Sequence, residues 1–204
     1  MAKVEFFFDC SSPWTYLAFS RIEGVCQKTA AELIWRPILV GGVFNAVNQD
    51  IYQTRANPHP IKARYADKDL QDWARYCDVT INWPEVFPVR AVDCMRGAFV
   101  ALDAGVLPAY ARALFEAYWG AGRDISQVEE LALICQQVGL DKDTFFQKVA
   151  TADVKYRLRE NTEELVRRGG FGSPTMFVNS DDMYFGNDRL ALVEVALRSG
   201  GDAE

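Results

Sequence analysis

The residues that could do chemistry gather in two short stretches. The first, Asp9-Cys10-Ser11-Ser12-Pro13-Trp14-Thr15, follows an apolar run, Val4-Glu5-Phe6-Phe7-Phe8, and precedes a helix-period pattern with apolar residues at Ala18, Ile22, Val25 and Cys26. That is the order of a strand running into a helix. Ser12 then falls at the N-cap and Pro13 at the first helical position, where a missing N–H costs nothing. The free N–H groups and the positive end of the helix dipole face whatever sits beside Ser12, and such a place favours an anion, a thiolate included. Read alone, Ser12 is an ordinary helix cap.

The second stretch, Gly172-Ser173-Pro174-Thr175, comes just before a strand-like run. A proline at a strand's start is ordinarily a ladder-end or edge residue. A cis bond between Ser173 and Pro174 would do something more specific. It would turn the backbone N–H and C=O of Ser173 toward the helix start at Ser12, as a short edge with which an extended peptide can pair.

Composition removes several classes. With 204 residues and 50% hydrophobic content the chain can bury a full core as one domain plus an insertion. Net charge is −6 and the basic residues are scattered, which argues against nucleic acid or an anionic membrane as partner. No run approaches the roughly eighteen apolar residues of a membrane span, and Met1-Ala2-Lys3 enters a strand at once, so neither a transmembrane segment nor a signal peptide is expected. A cytoplasmic location follows, or an organellar one if a presequence is missing. The five cysteines are odd in number with no short pairing interval, and His59 is the only histidine, so neither a disulfide framework nor a metal site is predicted. A serine hydrolase lacks a well-placed triad histidine, since His59 lies between two prolines. Cys10 lies beside the proposed site, either as packing at the strand's end or as a redox group.

The elements around these stretches are read from period and punctuation. Glu32-Leu33-Ile34-Trp35-Arg36 is a second strand, stopping at Pro37 and parallel to the first because one long helix joins them. Gly41-Gly42 then breaks the pattern. From there to about residue 168 no strand is evident, and six helices are expected: from Pro60 or Ile61, from Ala91 to Gly105, from Pro108 to Gly120, from a Ser126/Glu129 capping box to Gly139, from an Asp141 cap through Val149, and from Ala152 or Asp153 to Arg168. Thr175–Val178 and Met183–Phe185, separated by Asn179-Ser180-Asp181-Asp182, form an antiparallel hairpin, and a last helix capped by Asn187 or Asp188 follows. This is the α/β order of a thioredoxin-like fold interrupted by a large all-helical insertion, one of several α/β options open to periodicity alone: residues 1–40 and 169–204 are expected to make the sheet domain and 41–168 the inserted helical domain.

At this point a family resemblance emerges. Phe8-Asp9-Cys10-Ser11-Ser12-Pro13-Trp14-Thr15-Tyr16-Leu17-Ala18, Gly172-Ser173-Pro174-Thr175-Met176-Phe177-Val178 and Gly186-Asn187-Asp188-Arg189-Leu190 resemble stretches of the 2-hydroxychromene-2-carboxylate isomerases, which group with kappa-class glutathione transferases and DsbA-type oxidoreductases. The likeness runs over nearly the whole chain, including Pro60-Ile61-Lys62-Ala63-Arg64-Tyr65. Ser12-Pro13-Trp14-Thr15 looks like a Cys-Pro-Trp-Cys motif with both sulfurs replaced by hydroxyls.

The resemblance implies glutathione as cofactor and assigns roles. Ser12 is the catalytic serine whose hydroxyl favours the glutathione thiolate. The Ser173 backbone before Pro174 pairs with the cysteinyl part, Asn187 and Asp188 hold the γ-glutamyl end or merely cap the last helix, and Lys62 and Asn57 lie near the glycyl carboxylate. Two family features differ here: Cys10 stands where relatives often carry an aromatic, and Ser173 where many carry an aliphatic residue. The implied reaction interconverts 2-hydroxychromene-2-carboxylate and trans-o-hydroxybenzylidenepyruvate in aromatic degradation, in a homodimer. The second substrate is expected between sheet and helices, against aromatics such as Trp14, Trp83, Tyr118 and Trp119, with Arg90 or another cation at its carboxylate. The alternatives are a kappa-class transferase and, less favoured, a disulfide oxidoreductase or a non-catalytic peptide-binding module.

Overall fold

The structure, a computed structural model, describes residues 1–199. Residues 200–204, the end of the expected second sheet segment, lie outside the described residues. Two sequence-distant parts of the chain build one four-stranded sheet. β1 (Lys3–Phe8) pairs parallel with β2 (Glu32–Pro37) through the intervening α1 (Pro13–Thr29), and antiparallel with β3 (Thr175–Val178). β3 turns back into β4 (Asp182–Phe185), giving the order β2-β1-β3-β4. Phe6 sits opposite both Trp35 and Met176.

The alternation along β1 explains why it lies in the middle. Val4, Phe6 and Phe8 point into the larger core with α1, while Phe7 joins Ile38, Val43, Leu165 and Phe177 on the other face. A strand buried on both faces reads as a continuous apolar run, as this one does. Glu5 is the exception, and it is paired: its carboxylate meets Arg36 at 2.5 Å and Arg168 at 2.8 Å. Burial pushes the Glu5 carboxyl up, but the two guanidinium groups outweigh it and the net shift is downward.

Between the two sheet segments run α2 (Val40–Val47), α3 (Asp50–Ala56), α4 (Pro60–Tyr76), α5 (Val92–Asp103), α6 (Leu107–Phe115), a π turn at Glu116–Gly120, α7 (Val128–Gln137), α8 (Lys142–Val149) and α9 (Ala152–Arg167). α10 (Leu190–Ser199) closes the fold behind α1. The α/β fold with a helical insertion is therefore present, with more helix than the six predicted. The paired glycines were expected to break the chain, yet Gly41 and Gly42 lie inside α2. A Cβ on Gly42 would stand 3.1 Å from the Thr162 methyl, a tight contact, so the glycine eases the close approach of α2 to α9.

Two expected caps are also corrected. Ser126 does not cap α7; its N–H and hydroxyl both donate to Asp124 Oδ1, and the helix begins two residues later. Neither Asn187 nor Asp188 caps the last helix by its side chain. They form a 3-10 turn, Asn187–Arg189, entered through Gly186 at φ +103°, a conformation that a side chain would resist. Asp141 does cap α8, accepting the Thr144 N–H at 2.8 Å.

Candidate active site

The β1–α1 corner is fixed from several sides before any ligand is considered. Asp9, fully buried, accepts the Ser11 N–H at 2.9 Å on one oxygen and the Val40 N–H at 2.7 Å on the other, tying the start of α2 to the start of α1. Burial pushes its carboxyl up, against the pull of those N–H donors. The Cys10 carbonyl accepts the Trp119 indole N–H at 2.9 Å, and the Cys10 N–H donates to the Met95 sulfur. Trp119 and Tyr118 are wholly buried and therefore belong to the core that holds this corner.

Ser12 caps α1. Its hydroxyl oxygen accepts the Thr15 N–H at 3.2 Å, and its proton goes to the Ser173 carbonyl, also at 3.2 Å. The Ser173–Pro174 peptide is cis. The Ser173 hydroxyl accepts the Asp9 N–H at 3.1 Å and lies 2.7 Å from the Thr15 hydroxyl, with all three residues buried. Gly186 N–H donates to the Pro174 carbonyl, which brings the Asn187 turn to the same place. The two sequence stretches, about 160 residues apart, thus meet through side chains as well as backbone.

They meet at a cavity of about 1050 Å3, large enough for a cofactor and a small substrate together. Ser12, Ser173, Pro174, Asn187 and Asp188 line it. Lys62 and Asn57 do not. Asn57 is exposed at the end of α3, and Lys62 is exposed one helical turn ahead of Ala66, on the α4 face that continues through Asp69 and Trp73 into the cavity. Of the expected aromatics, Trp14 and Trp83 line the cavity, whereas Tyr118 and Trp119 do not. Phe44, Tyr52, Trp73, Phe87 and Phe185 complete the aromatic lining; none was anticipated from sequence, and only the three-dimensional meeting of α2, α3, α4, the loop before α5 and the end of β4 brings them together.

Polar groups in this lining are left with unspent capacity. Asn187 is 3% exposed, and its side-chain N–H2 has no partner among the described residues. The Ser173 N–H likewise makes no hydrogen bond among the described residues. An unmet buried amide costs about 1–3 kcal/mol, so a ligand that satisfies it binds the more tightly. Among the described residues no cysteine lines the cavity. Cys10 is buried, and its thiol is pushed up by the neighbouring Cys94 sulfur and by burial, the setting of an inert packing residue. Among the described residues no cluster suited to a metal ion is found, and no helix is long and apolar enough to cross a membrane.

The chain is similar to known proteins along nearly its whole length. The 2-hydroxychromene-2-carboxylate isomerase of Sphingobium xenophagum is 28% identical over 197 residues, spanning 94% of this chain and 95% of that protein. Glutathione S-transferase kappa 1 of Homo sapiens is 26% identical over 205 residues, spanning 93% and 88%. A solved structure of a 2-hydroxychromene-2-carboxylate isomerase matches with a TM-score of 0.83 at 27% identity, covering 99% of both chains. The family model described as the DSBA-like thioredoxin domain matches residues 3–198, and the chain belongs to that family.

Proposed function

We propose that the protein is a glutathione-dependent isomerase interconverting 2-hydroxychromene-2-carboxylate and trans-o-hydroxybenzylidenepyruvate, with Ser12 stabilising the glutathione thiolate. The observation that carries this reading is a hydroxyl in the cavity at the place where a redox pair would need sulfur. Ser12 opens α1, Thr15 is buried against Ser173, and no cysteine among the described residues lines the cavity. Disulfide exchange needs a protein thiolate within reach of the substrate. Sulfur chemistry here calls instead for a thiol that arrives with the ligand.

The lining suits an extended tripeptide. Ser173 lines the cavity beside a cis proline and would offer its N–H and C=O as a short edge, Asn187 has an unpaired side-chain N–H2 for a carboxylate, and Asp188, now paired with Arg189, would turn to the ligand's ammonium group. Lys62 and Asn57 remain outside the lining as groups for a glycyl carboxylate at its rim. Glutathione held by these residues would supply a nucleophilic sulfur for reversible addition to a conjugated carbon, which leaves the former double bond single and rotatable until the sulfur departs.

The protein's own part is electrostatic. Lowering the thiol pKa by about two units takes ~2.7 kcal/mol of preference for the thiolate. A hydroxyl donating to a charged group contributes about 1.5–3 kcal/mol and a helix N-terminus about 0.3–1, so together they suffice. The Ser12 proton reaches the sulfur by turning from the Ser173 carbonyl, a 3.2 Å bond that is long for a hydroxyl donor and gives way easily. The Ser173 carbonyl, so freed, would be available to the peptide N–H of the cysteinyl group. The cytoplasm, which keeps glutathione reduced, is the fitting location.

A kappa-type transferase is the second reading, favoured by the 26% identity to the human transferase over 93% of this chain. A paired assay separates the two. Turnover of the chromene carboxylate that requires glutathione without consuming it supports the isomerase. Consumption of glutathione with chlorodinitrobenzene, and no isomerisation, supports the transferase, and detectable insulin reduction would revive a disulfide oxidoreductase.

A further inference from the structure

The cavity's charged lining holds one cation whose charge is not matched by the protein. Arg90 is 78% exposed and faces Asp93 at 3.6 Å, and Arg189 is paired with Asp188. Arg55, near the end of α3, has no carboxylate or hydrogen-bonding partner among the described residues; Asp9 and Asp69, the lining carboxylates without a cationic partner among them, do not reach it. Its guanidinium lies instead over two rings, 5.2 Å from the centroid of Phe44 and 5.4 Å from that of Phe87. The rings draw it partly out of water, which lowers its pKa without approaching neutrality.

We infer that Arg55 reads the carboxylate of the second, aromatic substrate and so sets the cavity's preference for anionic over uncharged electrophiles. This rests on the reading that the cavity takes a small aromatic substrate beside glutathione. A planar fork of N–H donors held beside Phe44 and Phe87 offers a paired hydrogen bond to a carboxylate and, next to it, a flat apolar surface for the ring that carries that carboxylate. A glycyl carboxylate would use the fork and leave the aromatic wall unused. The anchoring is a property of tertiary placement, since Phe44, Arg55 and Phe87 belong to three separate segments.

The test needs no turnover. Trp14, Trp73 and Trp83 line the cavity, so binding of trans-cinnamate and of its methyl ester can be followed by tryptophan fluorescence in the full chain, with and without glutathione. Wild type should bind cinnamate more tightly than the ester. Arg55→Met should weaken cinnamate about tenfold and leave the ester and glutathione unchanged, and Arg55→Lys should fall between because it keeps the charge and loses the fork. Circular dichroism confirms that the variants are folded. Equal binding of acid and ester by wild type, equal loss of both in Arg55→Met, or a loss confined to glutathione overturns the inference. Glutathione titration of wild type separately tests the cofactor reading, because the cinnamate comparison stands without it.

Discussion

Replacing Ser12 by alanine removes two things that can be measured apart. One is the helix cap, the acceptor for the Thr15 N–H at 3.2 Å, and its loss costs about 1 kcal/mol. In a chain of this size that lowers Tm by about 2–4 °C. The other is the hydroxyl proton, now held by the Ser173 carbonyl at 3.2 Å, which the proposed function directs to the glutathione sulfur. A hydrogen bond to a charged group contributes about 1.5–3 kcal/mol, so bound glutathione should ionise about one to two pH units higher in the variant. The helix N-terminus remains and keeps part of the shift. Ultraviolet thiolate absorbance of the complex, titrated against pH, reads this directly. Ser12→Gly supplies the control, because glycine caps nearly as well as serine and lacks the hydroxyl. It should share the full titration shift with a smaller loss of Tm. A titration unchanged in both variants, or one that follows Tm and not the hydroxyl, would refute the reasoning.

Glu5 carries the sign of an acid-sensitive ion pair. Burial raises its carboxyl, Arg36 and Arg168 more than offset this, and the folded value ends below the unfolded one; the stabilisation is therefore complete above the ordinary glutamate range and lost as pH falls through the folded value. Glu5→Gln should flatten the acid limb of denaturant stability against pH, and parallel limbs would count against the pairing. Gly97→Ala places a Cβ 2.3 Å from both the Phe145 ring and the Tyr110 oxygen inside the core; thermal melts should show about 1–3 kcal/mol of destabilisation, and a change under about 0.5 kcal/mol would show that α5 has room to shift. Ser173→Ala leaves the buried Asp9 N–H and Thr15 hydroxyl without the oxygen they share, costing about 1–3 kcal/mol. Adding Thr15→Val should cost less than the sum of the single changes, and strict additivity would mean that the two hydroxyls do not interact.

Much of the scaffold was legible because its signals are local. The apolar run of β1, the Ser12-Pro13 start of α1 and the turn residues 179–182 each punctuate a single element, and the structure has all three. What escaped depends on partners distant in the chain. Gly41-Gly42 reads as a breaker until Thr162 is seen against Gly42, where the glycine serves close helix packing. Ser126 and Glu129 have capping-box spacing, but Asp124, two residues earlier, takes the Ser126 hydroxyl first. Trp119 reads as a ligand wall by residue type, and its burial and bond to the Cys10 carbonyl make it a brace for the Ser12 corner. Arg55, Phe44 and Phe87 show no common pattern in sequence because no single element contains them. Lys62 has the right helical face and stops one turn short of the cavity, a difference that spacing alone does not resolve.

The central claim is that this chain ionises a sulfur it does not own. A crystal soaked with reduced glutathione tests it most directly. The sulfur is predicted within hydrogen-bonding reach of Ser12 Oγ, with the cysteinyl backbone paired to Ser173 and the γ-glutamyl end at Asn187. Density placing the sulfur against another group, with Ser12 still donating to the Ser173 carbonyl, would contradict the account.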